Sequence, residues 1–271
     1  MSVEHHLRTA EEHLARGDRD GAWRACEAAL LVQPDCLPAH QTMARIALPG
    51  PYYTEILAAV HAQLKPRTYL EIGVASGKTI VLAAPGTRAV GVDPAPKIGH
   101  PLGPNVRIVA ATSDDFFARS DLAALFGDPR IDLAFIDGMH HFEFALRDFV
   151  AIERLAGPGS TVLLHDCYPL DRRTAERVRS TVFWSGDCWR LVLALKKYRP
   201  DLAVSVIATA PTGLAVVRNL DPASRVLAER MDEVVAELLA VDYGVLDAGK
   251  PGMLNLVAND PARISELLSG A

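Results

Sequence analysis

Cysteine is scarce in this sequence, and what there is excludes two kinds of scaffold. Cys26, Cys36, Cys167 and Cys188 stand far apart with no CxxC pair, so neither a disulfide framework nor a zinc knuckle is expected and all four read as reduced thiols. Cys26 falls on the apolar stripe of a helix, the usual place for a small buried thiol. Clusters of Lys and Arg are also missing, and the formal net charge is -5. A chain without a basic patch has no electrostatic footprint for a phosphate backbone, so nucleic acid is not an expected partner. No apolar run approaches the length of about 18 residues that spans a bilayer, and the first residues lack the apolar stretch of a secretory signal. The chain is expected to be soluble and cytoplasmic, with no membrane partner.

What is present is enough for a sizeable core: 271 residues, 49% of them hydrophobic, suit one α/β domain with a small accessory element. Three regions are expected. Residues 1–50 read as helical, with Ala22, Cys26 and Ala29 at i, i+4, i+7 spacing on a face of small side chains. After Pro49-Gly50-Pro51 the pattern changes to short apolar runs alternating with helical segments, the rhythm of βαβ units. Tyr69–Ile72, Ala89–Val92, Val106–Ala110, Leu133–Ile136 and Thr161–Leu164 are apolar on both faces and read as buried parallel strands. Leu202–Ala208 and Gly213–Val217 read as a closing hairpin, ending the region 51–220. Residues 221–271 form a helical extension with an apolar stripe through Val226, Met231, Val234, Val235, Leu238 and Leu239, suited to a lid or a dimer contact.

In a parallel sheet a ligand binds outside the carboxyl ends of the strands. Glu71-Ile72-Gly73-Val74-Ala75-Ser76-Gly77 ends the first expected strand in a roomy turn, where Gly73 and Gly77 let the backbone approach a ligand. Asp93 closes the second strand, where a carboxylate can accept from both hydroxyls of a ribose. Ala75 stands where a dinucleotide turn carries its second glycine, so close approach to a pyrophosphate is disfavoured. Glu71 would repel a pyrophosphate but suit an amino group.

A second constellation lies at the next two strand ends: Asp137-Gly138-Met139-His140-His141 after the fourth, and His165-Asp166-Cys167 after the fifth. Neighbouring strands are about 4.8 Å apart, so these side chains can converge on one ion. Adjoining acids would repel unless something positive lay between them. Asp137, His165 and Asp166 are the expected metal ligands, with His140 left as a general base. Trp184-Ser185-Gly186-Asp187-Cys188-Trp189 could wall the pocket or simply start a packed helix.

The glycine-rich turn and the acid after it resemble the ExGxxxG motif and second-strand acid of the class I S-adenosylmethionine-dependent methyltransferases, from Pro51 to about Leu220. The resemblance implies an α/β, Rossmann-like, seven-stranded sheet that follows a small helical segment. It also implies an S-adenosylmethionine site containing Glu71, Gly73, Ser76, Gly77, Asp93, Ser113, Asp114 and Asp137, with Ser113 and Asp114 bordering the adenine. The second constellation is similar to that of the metal-dependent O-methyltransferases of sugar and antibiotic biosynthesis, which carry Asp-x-x-His and then two adjacent acids. Asp137, His140 and Asp166 match, and His165 replaces the first acid. Magnesium or manganese is the first expectation, and the imidazole leaves zinc or iron open. The implied reaction is methylation of a hydroxyl on a sugar or other small secondary metabolite. The alternatives are a metal-independent N- or carboxyl-methyltransferase and a non-catalytic binding module.

Gly17 to Leu30, followed by Gln33-Pro34, resembles a single tetratricopeptide repeat. One repeat cannot cover its own apolar face, so it is expected to pack on the next domain or in a homo-oligomer.

Overall fold

The computed structural model describes residues 1–119, 121–128 and 130–269. Three helices, α1 (Val3–Ala15), α2 (Arg19–Val32) and α3 (Leu37–Ala47), precede α4 (Tyr53–Leu64). The α/β region follows as β1 (Thr68–Ile72), β2 (Arg88–Asp93), β3 (Val106–Ala110), α5 (Ser113–Arg119), α6 (Leu122–Phe126), β4 (Ile131–Ile136), α7 (Phe142–Glu153), β5 (Ala156–His165), α8 (Trp189–Tyr198), β6 (Ala203–Ile207) and β7 (Leu214–Arg218). The chain closes with α9 (Val226–Glu229), α10 (Met231–Leu239), α11 (Tyr243–Asp247), α12 (Lys250–Met253), β8 (Leu256–Val257) and α13 (Pro261–Ser269). No helix among the described residues is long and apolar enough to cross a membrane.

The strands form one sheet in the order β3-β2-β1-β4-β5-β7-β6-β8. β1 to β5 pair in parallel, and β7 runs antiparallel to both β5 and β6. The expected seven strands are therefore eight. The extra strand, β8, is two residues long and pairs in parallel with β6, too short to leave a period-2 signal in the sequence.

Side chains alternate along each strand, and the two faces carry separate cores. Leu70, Ile72, Ala134, Ile136, Val162 and Leu164 pack beneath α7 and α8. Tyr69, Leu133, Phe135 and Leu163 pack with Ile56, Leu57 and Val60 of α4 and with Ile264 and Leu268 of α13. The expected lid or dimer helix is part of this framework: Val234 and Leu238 of α10 are buried in the α7/α8 core. A third cluster joins Ala22, Cys26, Ala29, Met43, Ala44 and Leu48 of the N-terminal helices to Leu170, Phe183 and Ala210. The small-residue face of the first segment is thus covered within its own chain. Register aligns the strand ends, with Ile72 opposite Val92 and Ile136, and Ile136 opposite Leu164. Gly73, Asp93, Asp137 and His165 follow at one level, with Asp166 one residue beyond.

Candidate active site

Above these strand ends lies a cavity of about 920 Å³, near the top of the range of roughly 300–1,000 Å³ usual for small-molecule sites. Gly73 begins its floor. At φ +87, an added Cβ there would stand 2.0 Å from the Asp137 carbonyl oxygen, so this crossing of β1 and β4 admits only glycine. Asp93 holds the turn from the neighbouring strand: its Oδ2 accepts from the amides of Val74 (3.0 Å) and Ala75 (2.8 Å), and its Oδ1 from that of Ala95 (2.8 Å). A carboxylate has about four acceptor positions, so Asp93 retains capacity where it lines the cavity. Ser76 also lines it, whereas Gly77 turns at φ +84 beneath Ile98 and is not part of the lining.

Glu71 sits behind this turn. It lies on the same face of β1 as Tyr69, is fully buried, and accepts from the Tyr69 hydroxyl (2.6 Å) and the Thr79 hydroxyl (2.7 Å). Burial pushes its carboxyl up to about 8, against the lowering effect of those two hydrogen bonds. It does not face the cavity; Lys78 and Thr79 do. At the far side, Ser113, Asp114 and Asp148 border the space. Asp114 is held by Arg147 through two bonds of 3.1 and 2.8 Å. Asp148, from α7, is buried, and burial raises it to about 7 although Ser113 bonds to it.

The ends of β4 and β5 converge as their spacing requires. His140 Nε2 lies 3.5 Å from Asp137 Oδ1 and 3.2 Å from Asp166 Oδ2. His165 Nδ1 lies 3.2 and 3.1 Å from the same two oxygens. The ligand atoms of Asp137, His140 and Asp166 all fall within 4.8 Å of one another. Asp166 Oδ1 accepts from the Thr212 hydroxyl at 2.7 Å. Burial acts against charge on Asp137, His140 and His165, but proximity outweighs it. The charge of Asp166 and the hydrogen bond to Asp137 carry His140 up to about 9. The charges of Asp137 and Asp166 carry His165 up to about 10, and both imidazoles hold Asp137 below the usual carboxylate range. Two carboxylates and two imidazoles thus meet at one point of the cavity wall.

The backbone here is strained in two places, with φ +59 at both His140 and Asp166, a region that costs non-glycine residues of order 1–3 kcal/mol. The Trp184–Trp189 segment fixes the first of them. The Trp184 ring stacks on His140 with centroids 5.3 Å apart and planes at 17°. Gly186 packs so closely that a Cβ would stand 2.0 Å from the His140 carbonyl oxygen, and the Asp187 amide donates to that oxygen at 3.2 Å. Asp187, fully buried, accepts from the Phe142 amide (2.8 Å) and pairs with Arg177 and Arg190. Both sequence readings of this segment therefore apply: it starts α8, and it walls the site.

Lys78, Thr79, Asp148, Tyr52, Tyr53 and Thr212 also line the cavity and were not among the sequence candidates. Tyr53 packs on the His165 ring at 4.3 Å. Only Lys78 and Thr79, directly after the glycine turn, carried a positional signal.

Residues 70–167 match the family model described as a methyltransferase domain. No curated protein matches the chain. Among solved structures it is similar to cofactor-bound Rv0187 from MTB, with 20% identity, 72% of this chain and 95% of that one covered, and a TM-score of 0.48. An O-methyltransferase from Bacillus cereus in complex with SAH is 15% identical over 65% of this chain and 86% of its own, with a TM-score of 0.46. The O-methyltransferase TomG from Streptomyces achromogenes is 16% identical over 61% and 78%, with a TM-score of 0.44. The segment matched by that family model carries both the glycine-rich turn and the cluster of acids and imidazoles.

Proposed function

We propose that this chain transfers a methyl group from S-adenosylmethionine to a hydroxyl of a small acceptor, a sugar or similar secondary metabolite, with a divalent metal held at the ends of β4 and β5. The observation that carries the reading is the convergence of Asp137, His140 and Asp166 within 4.8 Å beside a turn fitted to a nucleoside. Asp93 is read as the ribose acceptor and Ser113, Asp114 and Asp148 as the adenine border. Glu71 supports the turn through Thr79 rather than touching the ligand.

The donor set fits a metal: two carboxylates and an imidazole suit magnesium, manganese, iron or zinc. His140 belongs with the ligands in this reading, since its Nε2 reaches both acids, and His165 orients the two carboxylates through Nδ1. When bound, the cation would lower the pKa of a coordinated hydroxyl. The protein's own contribution is alignment, because displacement at a sulfonium carbon depends on holding two reactants in line. Trp184 and Tyr53 brace the imidazoles.

Chelation should abolish turnover and added manganese or magnesium restore it, with S-adenosylhomocysteine affinity nearly unchanged in calorimetry. Asp166→Ala and His140→Ala should both lose Mn²⁺ binding, read by electron paramagnetic resonance. If His140→Ala kept the metal and lost rate by about 10²-fold, the residue would be the general base expected from the sequence. Full activity in chelator would favour a metal-independent N- or carboxyl-methyltransferase.

A further inference from the structure

The order of strands lays out the cavity from end to end. Asp93 and Gly73 stand on β2 and β1, the acids and imidazoles on β4 and β5, and Thr212 just before β7. With the nucleoside over β2 and β1, the acceptor must lie beyond the acids, on the β5–β7 side; this step rests on the proposed function. That side is not walled by the sheet. It is lined by α3, by Tyr52 and by Val182 to Trp184.

α3 turns Leu37, Gln41, Ala44 and Arg45 to the cavity, positions i, i+4, i+7 and i+8 that share one helical face. The helix is a fixed part of the wall. Met43, Ala44 and Leu48 are buried with Leu170, Phe183 and Ala210, and the His40 ring stacks on Phe183 at 5.3 Å. The Tyr53 amide donates to the Ala210 carbonyl at 3.2 Å, and the Val182 amide donates to Asp35, just before α3. Leu37 and Ala44 make the inner part of the face apolar, and Gln41 and Arg45 are its long polar members. Arg45 has no ion pair or side-chain hydrogen bond among the described residues. Burial raises the Tyr52 hydroxyl, the Arg45 charge lowers it, and Asp166 and Asp137 raise it. Arg45, Tyr52, Asp137 and Asp166 all line this one cavity, which therefore offers a guanidinium as well as the acids to a ligand.

We infer that α3 is the acceptor-binding wall and that Arg45 pairs with an anionic group, a carboxylate, sulfate or phosphate, carried by the acceptor away from its reacting hydroxyl. A guanidinium suits such groups because its planar fork meets two oxygens at once. Leu37 and Ala44 cover the apolar body between the two ends, and Gln41 can donate alongside Arg45. The N-terminal segment is in this account part of the specificity machinery.

Matched probes test it on the full chain saturated with S-adenosylhomocysteine and Mn²⁺. Catechol is compared with 3,4-dihydroxybenzoate, and glucose with glucuronate and with glucose 6-phosphate, by calorimetry; the pairs separate carboxylate from phosphate recognition. In at least one pair the charged member should bind about tenfold tighter, the scale of one charge-assisted hydrogen bond. Arg45→Gln should erase that preference and Arg45→Lys keep part of it. Normal binding of S-adenosylhomocysteine with no preference in any pair, or a preference unchanged in Arg45→Gln, overturns the assignment of Arg45 alone. Failure of S-adenosylhomocysteine to bind the parent protein overturns the proposed function, and the acceptor wall with it.

Discussion

At the scale of single residues, the site depends on groups held where they would not rest by themselves. Glu71 is an acid placed on a buried strand face, and its pKa of about 8 has a consequence for stability. The unfolded chain releases this proton near the ordinary value of about 4.3, whereas the folded chain keeps it until about 8. Its contribution is therefore complete below the unfolded value, declines between the two, and is lost as pH rises through about 8. Glu71→Gln keeps a partner for Tyr69 and Thr79 without the charge. The Tm of the variant minus that of the parent should be larger at pH 8.5 than at pH 5 in calorimetric scans. An equal difference at both pH values would show that Glu71 is not protonated in the fold. Gly186 acts by what it lacks. Gly186→Ala forces a Cβ into the His140 carbonyl, so Mn²⁺ affinity should fall by about tenfold or more, on the scale of lost outer-shell support. S-adenosylhomocysteine affinity should stay the same, and unchanged Mn²⁺ binding would mean that the Trp184–Trp189 segment does not set the position of His140.

At the scale of elements, the N-terminal helices are held by an apolar interface, and removing them exposes Leu170, Phe183 and Ala210. A chain lacking residues 1–48 should bind S-adenosylhomocysteine within about threefold of the parent, because Gly73, Asp93 and Asp148 lie elsewhere. It should self-associate in light scattering, as newly exposed apolar patches do, and it should lose acceptor binding. A monomeric truncation with unaltered acceptor binding would remove α3 from the site. The parallel strands were legible because burial on both faces makes them continuous apolar runs, and β1 to β4 lie within a residue or two of the sequence reading. β5 begins earlier than its apolar run, since Gly157-Pro158-Gly159 joins the ladder region without looking like a strand. The part of α3 in the site was not legible. Its outward residues, Leu37, Gln41, Ala44 and Arg45, carry an ordinary amphipathic pattern, and only docking on Phe183 and Ala210 turns that face into a wall.

At the scale of the whole molecule, function follows from the alignment of strand ends in one sheet. Residues that end strands could be found in the sequence, and Gly73, Asp93, Asp137, His140, His165 and Asp166 all meet at one edge. Asp148, Tyr52 and Tyr53 reach that edge from helices, and their approach depends on how α4 and α7 pack across the sheet, which periodicity alone does not encode. The same dependence separates Glu71, one residue before the aligned ends, from the cavity. The account as a whole requires a nucleoside and a metal side by side above β1, β2, β4 and β5. The most direct measurement is a crystal structure with S-adenosylhomocysteine and Mn²⁺, phased to show anomalous scattering. The ribose should lie against Asp93, the adenine beside Ser113 and Asp114, and an anomalous peak should stand about 2.0–2.4 Å from ligand atoms of Asp137, His140 and Asp166. A nucleoside bound elsewhere, or no peak between these three side chains at saturating Mn²⁺, would contradict it.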